Sequence, residues 1–259
     1  MGSYNPVTAV LRGLEVLRVV NAEGLASVKA IHAATGFDKA TIVRMLETLI
    51  HAGYVVHDAT GGGYRVSGRV MQLSAGFKLH DTAAELAGPI LGRFRQKIGW
   101  PSDFAICDRD AMILVRTTRE PGPLYHNRTR GYRAPILYTS LGKSYLAFCP
   151  DAERSEILKM LRAADTTNSV PSDDAIENAL VQIRAQGFAV MEDSYSAKEY
   201  NNTFWAIAVP VMTERRVYGA VNIMMLRQAV TQRTAEDAYL PGLREAAAEI
   251  ARTFEAASL

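Results

Sequence analysis

The sequence predicts an α+β protein in which a small helical N-terminal module is followed by a larger domain of mixed helices and strands. Three observations support this division. Apolar residues recur at helical spacing in three short N-terminal runs, two strand-like runs around a glycine-rich turn come next, and strands are mixed with helices beyond residue 100. A chain of 259 residues has room for two domains, and a composition of 48% hydrophobic and 22% charged residues is ordinary for a globular protein.

The first two predicted helices are short and closely spaced. Residues 6 to 21 show the helical period, with Pro6 near the start, where proline is tolerated. Ser27 is a good N-cap for a second helix over residues 28 to 34, which Gly36 then ends. A short glycine-containing turn is all that separates this helix from the next.

The third predicted helix organises the module. Asp38 is a good N-cap, and Gly53 suits a left-handed C-cap. Its predicted core face consists of Ile42, Met45, Leu46 and Leu49. Strand-like runs at residues 54 to 58 and 63 to 66 follow as a hairpin. Although an amphipathic helix alone is commonly a plain surface helix, three helices and a hairpin predict a winged helix-turn-helix domain over residues 6 to 67.

A connecting segment and a second domain complete the chain. Residues 68 to 99 are predicted to form a linker helix, which Pro89 kinks or restarts. Residues 100 to 259 are predicted to form the second domain, with a hairpin turn at Glu214-Arg215-Arg216. Its predicted strands cover residues 103 to 108, 111 to 117, 188 to 193, 204 to 212 and 217 to 226. Its predicted helices cover residues 140 to 149, 151 to 164, 173 to 187 and 234 to 256.

Composition and charge narrow the function. The chain has no run of eighteen apolar residues and no charged segment before an apolar signal core, so we expect no membrane partner and a cytoplasmic location. Cys107 and Cys149 are too few for a disulfide framework and lack metal-ligand spacing. Residues 1 to 80 hold eight Lys and Arg against five Asp and Glu, whereas the remainder holds 21 against 22. A basic N-terminal third fits a nucleic-acid-binding module.

The motifs of common enzymes do not occur. G-x-S-x-G and H-E-x-x-H are both missing, which leaves an enzyme without an obvious nucleophile or metal. Gly142-Lys143-Ser144 ends like a phosphate-binding loop, but that loop needs a glycine where this chain has Leu137. We therefore expect no enzyme activity, no metal and no cofactor.

The polar face of the third helix predicts a DNA contact. Arg44 projects from its middle and can donate two hydrogen bonds to a guanine edge, while Thr41 can meet a phosphate or a thymine methyl beside Ala40. Phosphate contacts, which position the domain without reading sequence, are predicted for Ser27, Lys39 and Arg65. Glu47 would repel the DNA backbone, so base contacts should come from the N-terminal half of the helix. The alternative is a solvated polar face.

Three stretches of the chain resemble one family. They are Gly36-Phe37-Asp38-Lys39-Ala40-Thr41-Ile42-Val43-Arg44-Met45-Leu46, Leu141-Gly142-Lys143-Ser144-Tyr145-Leu146-Ala147 and Ile207-Ala208-Val209-Pro210-Val211. In this order, over almost the whole chain, they resemble the recognition segment and effector-domain signatures of the IclR-type bacterial transcription regulators. The resemblance implies a winged helix, a linker helix, a GAF-like effector-binding domain and a homodimer or tetramer. Asp38 and Ala40 stand where the family often has Pro and Ser, so the operator sequence does not carry over.

Within that family, one group is most similar. Trp100-Pro101-Ser102-Asp103, Asp110-Ala111-Met112 and Leu146-Ala147-Phe148-Cys149-Pro150 resemble the activators of 3-hydroxyphenylpropionate catabolism. That likeness implies a small aromatic carboxylate as effector.

The effector site is predicted at the start of the helix over residues 140 to 149. Free N–H groups at a helix N-terminus bind carboxylates, and this start is formed by Ser140, Leu141 and Gly142. The resemblance adds the strands that hold Trp205, Ile207, Asn222 and Met224. The ring of an aromatic acid would pack against Trp205 and Met224, with its hydroxyl on Asn222 or Tyr125. Trp205 and Met224 can equally be core residues.

A cluster of arginines lies close in sequence to this predicted site. One of Arg128, Arg130 and Arg133 can neutralise the carboxylate, although such a cluster is usually a solvated loop.

These features predict a regulator that binds a palindromic double-stranded operator and responds to a small aromatic carboxylic acid, such as a hydroxyphenylpropionate or a hydroxybenzoate. The resemblance favours an activator, with RNA polymerase as a further partner, and a repressor is the alternative. Two other classes remain open. One is an aromatic-acid-processing enzyme with a fused DNA module, and the other is a protein-interaction adaptor.

Overall fold

The chain folds as two compact units. The computed structural model describes residues 5–74, 76, 78–120, 129–167 and 169–259. The units are Met1–Lys78 and Leu79–Leu259, so the division falls inside the predicted linker of residues 68 to 99. None of the helices within the described ranges combines the length and the apolar character that crossing a bilayer requires.

Three helices and a hairpin form the first unit, as the sequence predicts. The helices are α1 (Thr8–Glu23), α2 (Val28–Thr35) and α3 (Lys39–His51). Ser27 caps α2 by accepting a hydrogen bond from the backbone N–H of Ala30 (3.1 Å). Asp38 caps α3 in the same way, from the N–H of Thr41 (2.8 Å). Both predicted N-caps are therefore confirmed.

The hairpin adds the wing. Its strands are β1 (Val55–Asp58) and β2 (Gly63–Val66), which pair antiparallel. Ala26 forms an additional bridge to Tyr64 in β2. A Cβ at Gly63 would lie 3.0 Å from the carbonyl oxygen of Ala26, so glycine permits this close pairing. The core of the unit consists of Val16, Leu17, Val19, Val20, Ala26, Ile31, Ile42, Leu46 and Val55.

The segment after the hairpin is not one continuous helix. A 3-10 helix covers Gly68–Ser74, and α4 covers Lys78–Ile98. Gly76 lies in a turn between them, where its backbone freedom disfavours helix. Pro89 lies inside α4 without ending it, so the helix does not restart there.

A six-stranded antiparallel sheet is the centre of the second unit. Its strands are β3 (Ser102–Asp108), β4 (Ala111–Thr117), β5 (Arg133–Pro135), β6 (Ala189–Val190), β7 (Phe204–Met212) and β8 (Val217–Leu226). They lie in the order β5-β4-β3-β8-β7-β6. The predicted hairpin between β7 and β8 is confirmed.

Helices cover both faces of this sheet. They are α4, α5 (Ser140–Phe148), α6 (Asp151–Ala164), α7 (Asp173–Gln186), α8 (Asp193–Tyr200), α9 (Gln232–Ala238) and α10 (Leu240–Ala256). The face covered by α4 and α10, here the α10 face, includes Ile207 and Val221. The opposite face, here the α5 face, includes Ala208 and Ala220, and α7 packs against α5 above it. Successive strand residues alternate between these faces.

Four elements of the second unit differ from the prediction: β6 is shorter, α8 and β5 were not predicted, and the last helix is divided. The strand predicted for residues 188 to 193 stops at Val190, because α8 begins at Asp193. The helix predicted for residues 234 to 256 is two helices, since Pro241 starts α10 in the first turn, where its missing N–H is tolerated. β5 was not predicted, because three residues are too few to show a strand period.

Candidate functional site

α3 has one buried and one exposed side. Ile42 and Leu46 are 0% and 1% exposed, and Thr41 is half-buried. The exposed residues include Lys39, Ala40, Arg44 and Glu47. Within the part of the chain that the structure describes, the side chains of Arg44 and Lys39 form no ion pair or hydrogen bond. Their charged groups are therefore hydrated, and a phosphate or a base edge can displace this water.

Thr41 is engaged by the N-cap of its own helix. Its hydroxyl donates to Asp38 Oδ2 (2.7 Å), while its backbone N–H donates to Oδ1 (2.8 Å). These two hydrogen bonds, the side-chain one first, lower the pKa of Asp38. Since a hydroxyl has one proton, the hydroxyl of Thr41 has none left for a phosphate oxygen. Its methyl group stays available to a thymine methyl.

The wing holds Arg65 through Asp58. Arg65 Nε lies 3.2 Å from Asp58 Oδ2, and the arginine side chain is 55% exposed. Asp58 Oδ1 also accepts from the backbone N–H groups of Thr60 (3.0 Å) and Gly61 (2.7 Å). The hydroxyl of Thr60, followed by these amides, lowers the pKa of Asp58 to about 2. Asp58 thus fixes both the turn of the wing and the direction of Arg65.

One of the three amides predicted to bind the carboxylate at the start of α5 is used by the protein itself. Thr139 Oγ1 accepts a hydrogen bond from the N–H of Gly142 (3.2 Å), so this amide is not free for a carboxylate as predicted. A Cβ at Gly142 would lie 2.1 Å from the carbonyl oxygen of Ile136. Gly142 therefore allows close packing of two backbone segments. Ser140 and Leu141 are each 1% exposed.

Trp205 and Met224 lie on opposite faces of the sheet. In β8, Asn222 and Met224 point to the α5 face. In β7, Trp205 and Ile207 point to the α10 face, where Trp205 Nε1 donates to the carbonyl of Val230 (3.1 Å). The predicted packing of one ring against both Trp205 and Met224 is therefore wrong, because the two-residue period of the strands puts the two side chains on opposite faces. Trp205 and Ile207 are core residues.

A buried ion pair lies beside Asn222 on the α5 face. Arg119 Nη2 and Nε donate to the Asp103 carboxylate at 2.6 and 3.1 Å, and the two side chains are 3% and 0% exposed. Thr117 Oγ1 donates to the same carboxylate (2.7 Å). Asn222 Oδ1 accepts from the backbone N–H of Asp103 (2.8 Å). Arg119 Nη2 also lies 3.0 Å from Met224 Sδ, which joins the ion pair to the neighbouring apolar residues.

An aromatic cluster extends from Met224 toward α8. Its buried members are Met191, Tyr195, Tyr200, Ala206 and Met224, with Tyr138 and Phe204 packed against them. The hydroxyls of Tyr195 and Tyr132 lie 3.1 Å apart. Aromatic surface next to a few polar groups is typical of a site for a small molecule.

Two cavities flank the start of α8. One of about 430 Å³ is lined by residues that include Met191 and Arg227, and one of about 290 Å³ lies between α5 and α7. Lys143 and Glu192 form an ion pair that lines both cavities. These volumes lie near the lower end of the range for ligand sites and suit a molecule of one ring.

Arg119, the arginine that contacts Met224 of the aromatic cluster, was not predicted. Tyr125 and Arg128 lie outside the described residues. Arg130 and Arg133 are exposed and pair with Asp81 and with Asp108 and Asp110, respectively. Asp103 in an apolar strand was the available signal, since a buried carboxylate needs a partner. Arg119 lies 16 positions further on, and no sequence pattern connects the two.

The two units together define a class of protein. A winged helix with exposed cations on its third helix, joined to a domain with buried polar and aromatic groups, is a DNA-binding transcription regulator with a small-molecule-binding domain. Residues 9–59 match the family described as IclR helix-turn-helix domain, and residues 80–252 match that described as Bacterial transcriptional regulator IclR C-terminal. The chain belongs to the IclR family of transcriptional regulators, whose members are regulators and not enzymes.

Named relatives share most of the chain. The protein named "Probable transcriptional regulator SauR" from Cupriavidus necator is 28% identical over 95% of this chain and 96% of its own. The crystal structure of an IclR family regulator from Brucella abortus is 25% identical, covers 96% of this chain and 92% of its own, and has a TM-score of 0.63. An IclR homolog from Microbacterium hydrocarbonoxydans, solved with 4-hydroxybenzoate, is 19% identical, covers 96% and 99%, and has a TM-score of 0.67.

Proposed function

We propose that this protein regulates transcription in response to a small aromatic carboxylic acid, such as a hydroxyphenylpropionate or a hydroxybenzoate. One observation carries the proposal: on the α5 face, Arg119 of the buried ion pair with Asp103 contacts Met224, which belongs to the same buried cluster as Tyr195 and Tyr200. An aromatic ring suits the first group, and carboxylate and hydroxyl oxygens suit the second. The 4-hydroxybenzoate held by the Microbacterium homolog supports this class of ligand.

In this proposal some of the predicted effector residues lie on the side of the sheet that faces the acid, and the others support the structure around it. Asn222 and Met224 line the acid from β8, and Ser140 and Leu141 bound the same face from α5. Trp205 and Ile207 support the sheet from behind. Gly142 keeps α5 close to the chain at Ile136. The cytoplasm, where the DNA lies, is the proposed place of action.

The DNA contacts come from α3, the α2 cap and the wing. Arg44 reads a guanine edge, with Ala40 and the methyl group of Thr41 next to it in the major groove. Lys39, Ser27 and Arg65 hold phosphates. Ser27 serves as an acceptor in its cap, so its own proton is available for donation.

A homodimer, or a tetramer of two dimers, fits a palindromic operator. The N-cap Val7 and the first turns of α1 expose an apolar stripe of Val7, Val10, Leu11 and Leu14, each more than half exposed. A stripe at this helical spacing supports contact with a second copy of the chain. Two-fold symmetry then matches two half-sites about 34 Å apart on the DNA.

The proposed direction of regulation is activation, with RNA polymerase as the further partner, because the chain resembles activators of 3-hydroxyphenylpropionate catabolism. A promoter reporter, measured in cells with and without the gene for this protein, tests whether it activates or represses transcription. Expression that requires the protein and the acid supports an activator, whereas expression that rises on deletion of the gene overturns it in favour of a repressor.

The ligand class is tested by thermal unfolding of the purified protein. A ligand that binds only the native state raises its unfolding temperature. We expect a rise with 4-hydroxybenzoate or 3-(3-hydroxyphenyl)propionate and none with the matching carboxamides. No rise with any aromatic acid of a broad panel would overturn the proposed ligand.

A further inference from the structure

Arg119 brings a buried positive charge to the α5 face. Its side chain is 3% exposed, and a guanidinium at such a site needs strong hydrogen-bond partners to offset its lost hydration. Asp103 supplies them on one edge through the Nε and Nη2 groups. The arginine follows β4 by two residues, and Thr117 Oγ1 accepts a hydrogen bond from its backbone N–H (3.2 Å).

One contact of this guanidinium is a poor one. Nη2 lies 3.0 Å from the thioether sulfur of Met224, which is a weak acceptor for a charged donor. Met224 belongs to the aromatic cluster with Tyr195 and Tyr200. An unbranched methionine side chain has three rotatable bonds and adapts easily to a new neighbour. An oxygen that replaced the sulfur would gain a charge-assisted hydrogen bond.

We propose that Arg119 is the residue that binds the effector's carboxylate, with an oxygen of the acid replacing Met224 Sδ as the acceptor from Nη2. This assignment rests on the proposed function and names the recognition residue of the same site. The ring of the acid then lies in the cluster of Met191, Tyr195, Tyr200 and Met224. Arg119 selects carboxylates over neutral analogues of the same shape.

Asp103 has two effects on Arg119: it positions the guanidinium, and it reduces its net charge. Its two hydrogen bonds fix the plane of the guanidinium and direct Nη2 toward Met224. Its negative charge also partly neutralises Arg119, so that the acid meets a weaker positive field than a lone guanidinium would give. Removing that charge should strengthen acid binding, whereas removing the charge of Arg119 should weaken it.

Other cations near the α5 face are less suitable. Arg130 and Arg133 have exposed side chains and pair with aspartates at the surface. Lys143 is the strongest rival, because it lines both cavities beside α8. It pairs with Glu192, and these side chains are 16% and 42% exposed, so its charge is more hydrated than that of Arg119. Lys143→Gln therefore tests this rival, and Arg93, which pairs with Glu249 of α10, serves as the matched control.

The test is calorimetric titration of the full chain with 4-hydroxybenzoate, 3-(3-hydroxyphenyl)propionate and their carboxamides. In Arg119→Gln we expect an at least tenfold loss of affinity for the acid and no change for the carboxamide. In Asp103→Asn we expect a severalfold gain for the acid. In Arg93→Gln we expect acid affinity to stay within twofold of the wild type. A gain of acid affinity in Asp103→Asn together with a loss in Arg119→Gln indicates recognition of the carboxylate. If the ion pair only supported the fold, both variants would bind the acid more weakly.

Two further measurements keep the proposal testable if a single variant fails to fold. The double variant Asp103→Asn/Arg119→Gln keeps the pair's shape without either charge, and it should bind acid and carboxamide equally. In the wild-type protein with 13C-labelled methionine methyl groups, the acid should shift the Met224 signal and leave that of Met225, on the α10 face, in place. Met224→Leu assigns the signal.

The outcomes separate this inference from the function on which it rests. If the wild type binds no aromatic acid, the proposed ligand class fails. If the wild type binds the acid but Arg119→Gln or the double variant binds it as tightly, or if Lys143→Gln alone loses it, the assignment of Arg119 is overturned while the ligand class stands. A Met224 signal that does not move on acid binding counts equally against Arg119.

Discussion

Gly142 and Ile136 bring two backbone segments together more closely than any side chain at position 142 would allow. A Cβ at Gly142 would lie 2.1 Å from the Ile136 oxygen and 2.4 Å from its Cα. Since both obstacles are backbone atoms, no side-chain rotation relieves them. We expect Gly142→Ala to lower the free energy of unfolding of the second unit by about 3 kcal/mol.

A matched glycine provides the control. Among the described residues, no atom outside the backbone of α4 comes within 4 Å of the place that a Cβ on Gly92 would take. Gly92→Ala should therefore leave stability unchanged or raise it by up to about 1 kcal/mol through helix propensity. Trp100 and Trp205 both lie in the second unit, so tryptophan fluorescence in urea reports that unit. Equal midpoints for the two variants would contradict the close approach at Gly142.

Local chemistry explains which elements the sequence predicted well. Asp38 and Ser27 act as N-caps, and Gly53 adopts a φ of +78°, because these residue types satisfy backbone groups or tolerate left-handed conformations on their own. β7 and β8 were predicted to the residue, since long apolar runs on either side of a charged turn have few alternatives.

The arrangement of the effector site depended on information that local patterns lack. β7 is apolar at every position, so no alternation indicates which residues face α5 and which face α10. Trp205 and Met224 were therefore combined although the pairing of the strands puts them on opposite faces. Arg119 was missed for a related reason, because its partner Asp103 becomes a neighbour only when β3 and β4 pair.

Arg44 and Lys39 should affect DNA binding differently. We expect Arg44→Ala to weaken operator binding by about tenfold to a hundredfold and to relax the base preference at one position of each half-site. Lys39→Ala should weaken operator and random DNA alike and lower the dependence of affinity on salt, because it holds a phosphate. Fluorescence anisotropy with operator and scrambled duplexes over a salt series measures both.

Arg18 provides the control for these two variants. It lies on α1 in an ion pair with Glu15, so Arg18→Ala should leave DNA affinity within about twofold, as expected for a charge at a distance from the contact surface. Operator binding by Arg44→Ala at the wild-type level would remove α3 from base recognition.

The wing should loosen in acid as Asp58 becomes protonated. The pKa of this carboxyl is lowered to about 2 from a usual value near 3.8, so its stabilising effect is full above about pH 4 and is lost as the pH falls toward 2. Amide exchange at Thr60 and Gly61, which donate to Asp58, should lose protection across that range relative to intrinsic rates. In Asp58→Ala both amides should be unprotected at every pH, and protection that persists in this variant would show that the turn does not depend on the carboxylate.

The exposed stripe on α1 should control assembly. Leu11 and Leu14 lie one turn apart and are 55% and 57% exposed, and contact with a second copy would bury them. A charge in such a contact would be desolvated without a partner, so Leu11→Glu/Leu14→Glu should reduce the molecular mass in sedimentation from that of a dimer or tetramer. Operator affinity should fall on the order of a hundredfold, because two linked winged helices bind two half-sites far more tightly than one.

Val181→Glu provides the control for this double variant. It places the same charge on an exposed apolar residue of α7, and we expect it to change neither the molecular mass nor the operator affinity. An unchanged mass for the α1 variant, with its helical content intact, would show that the subunits meet elsewhere.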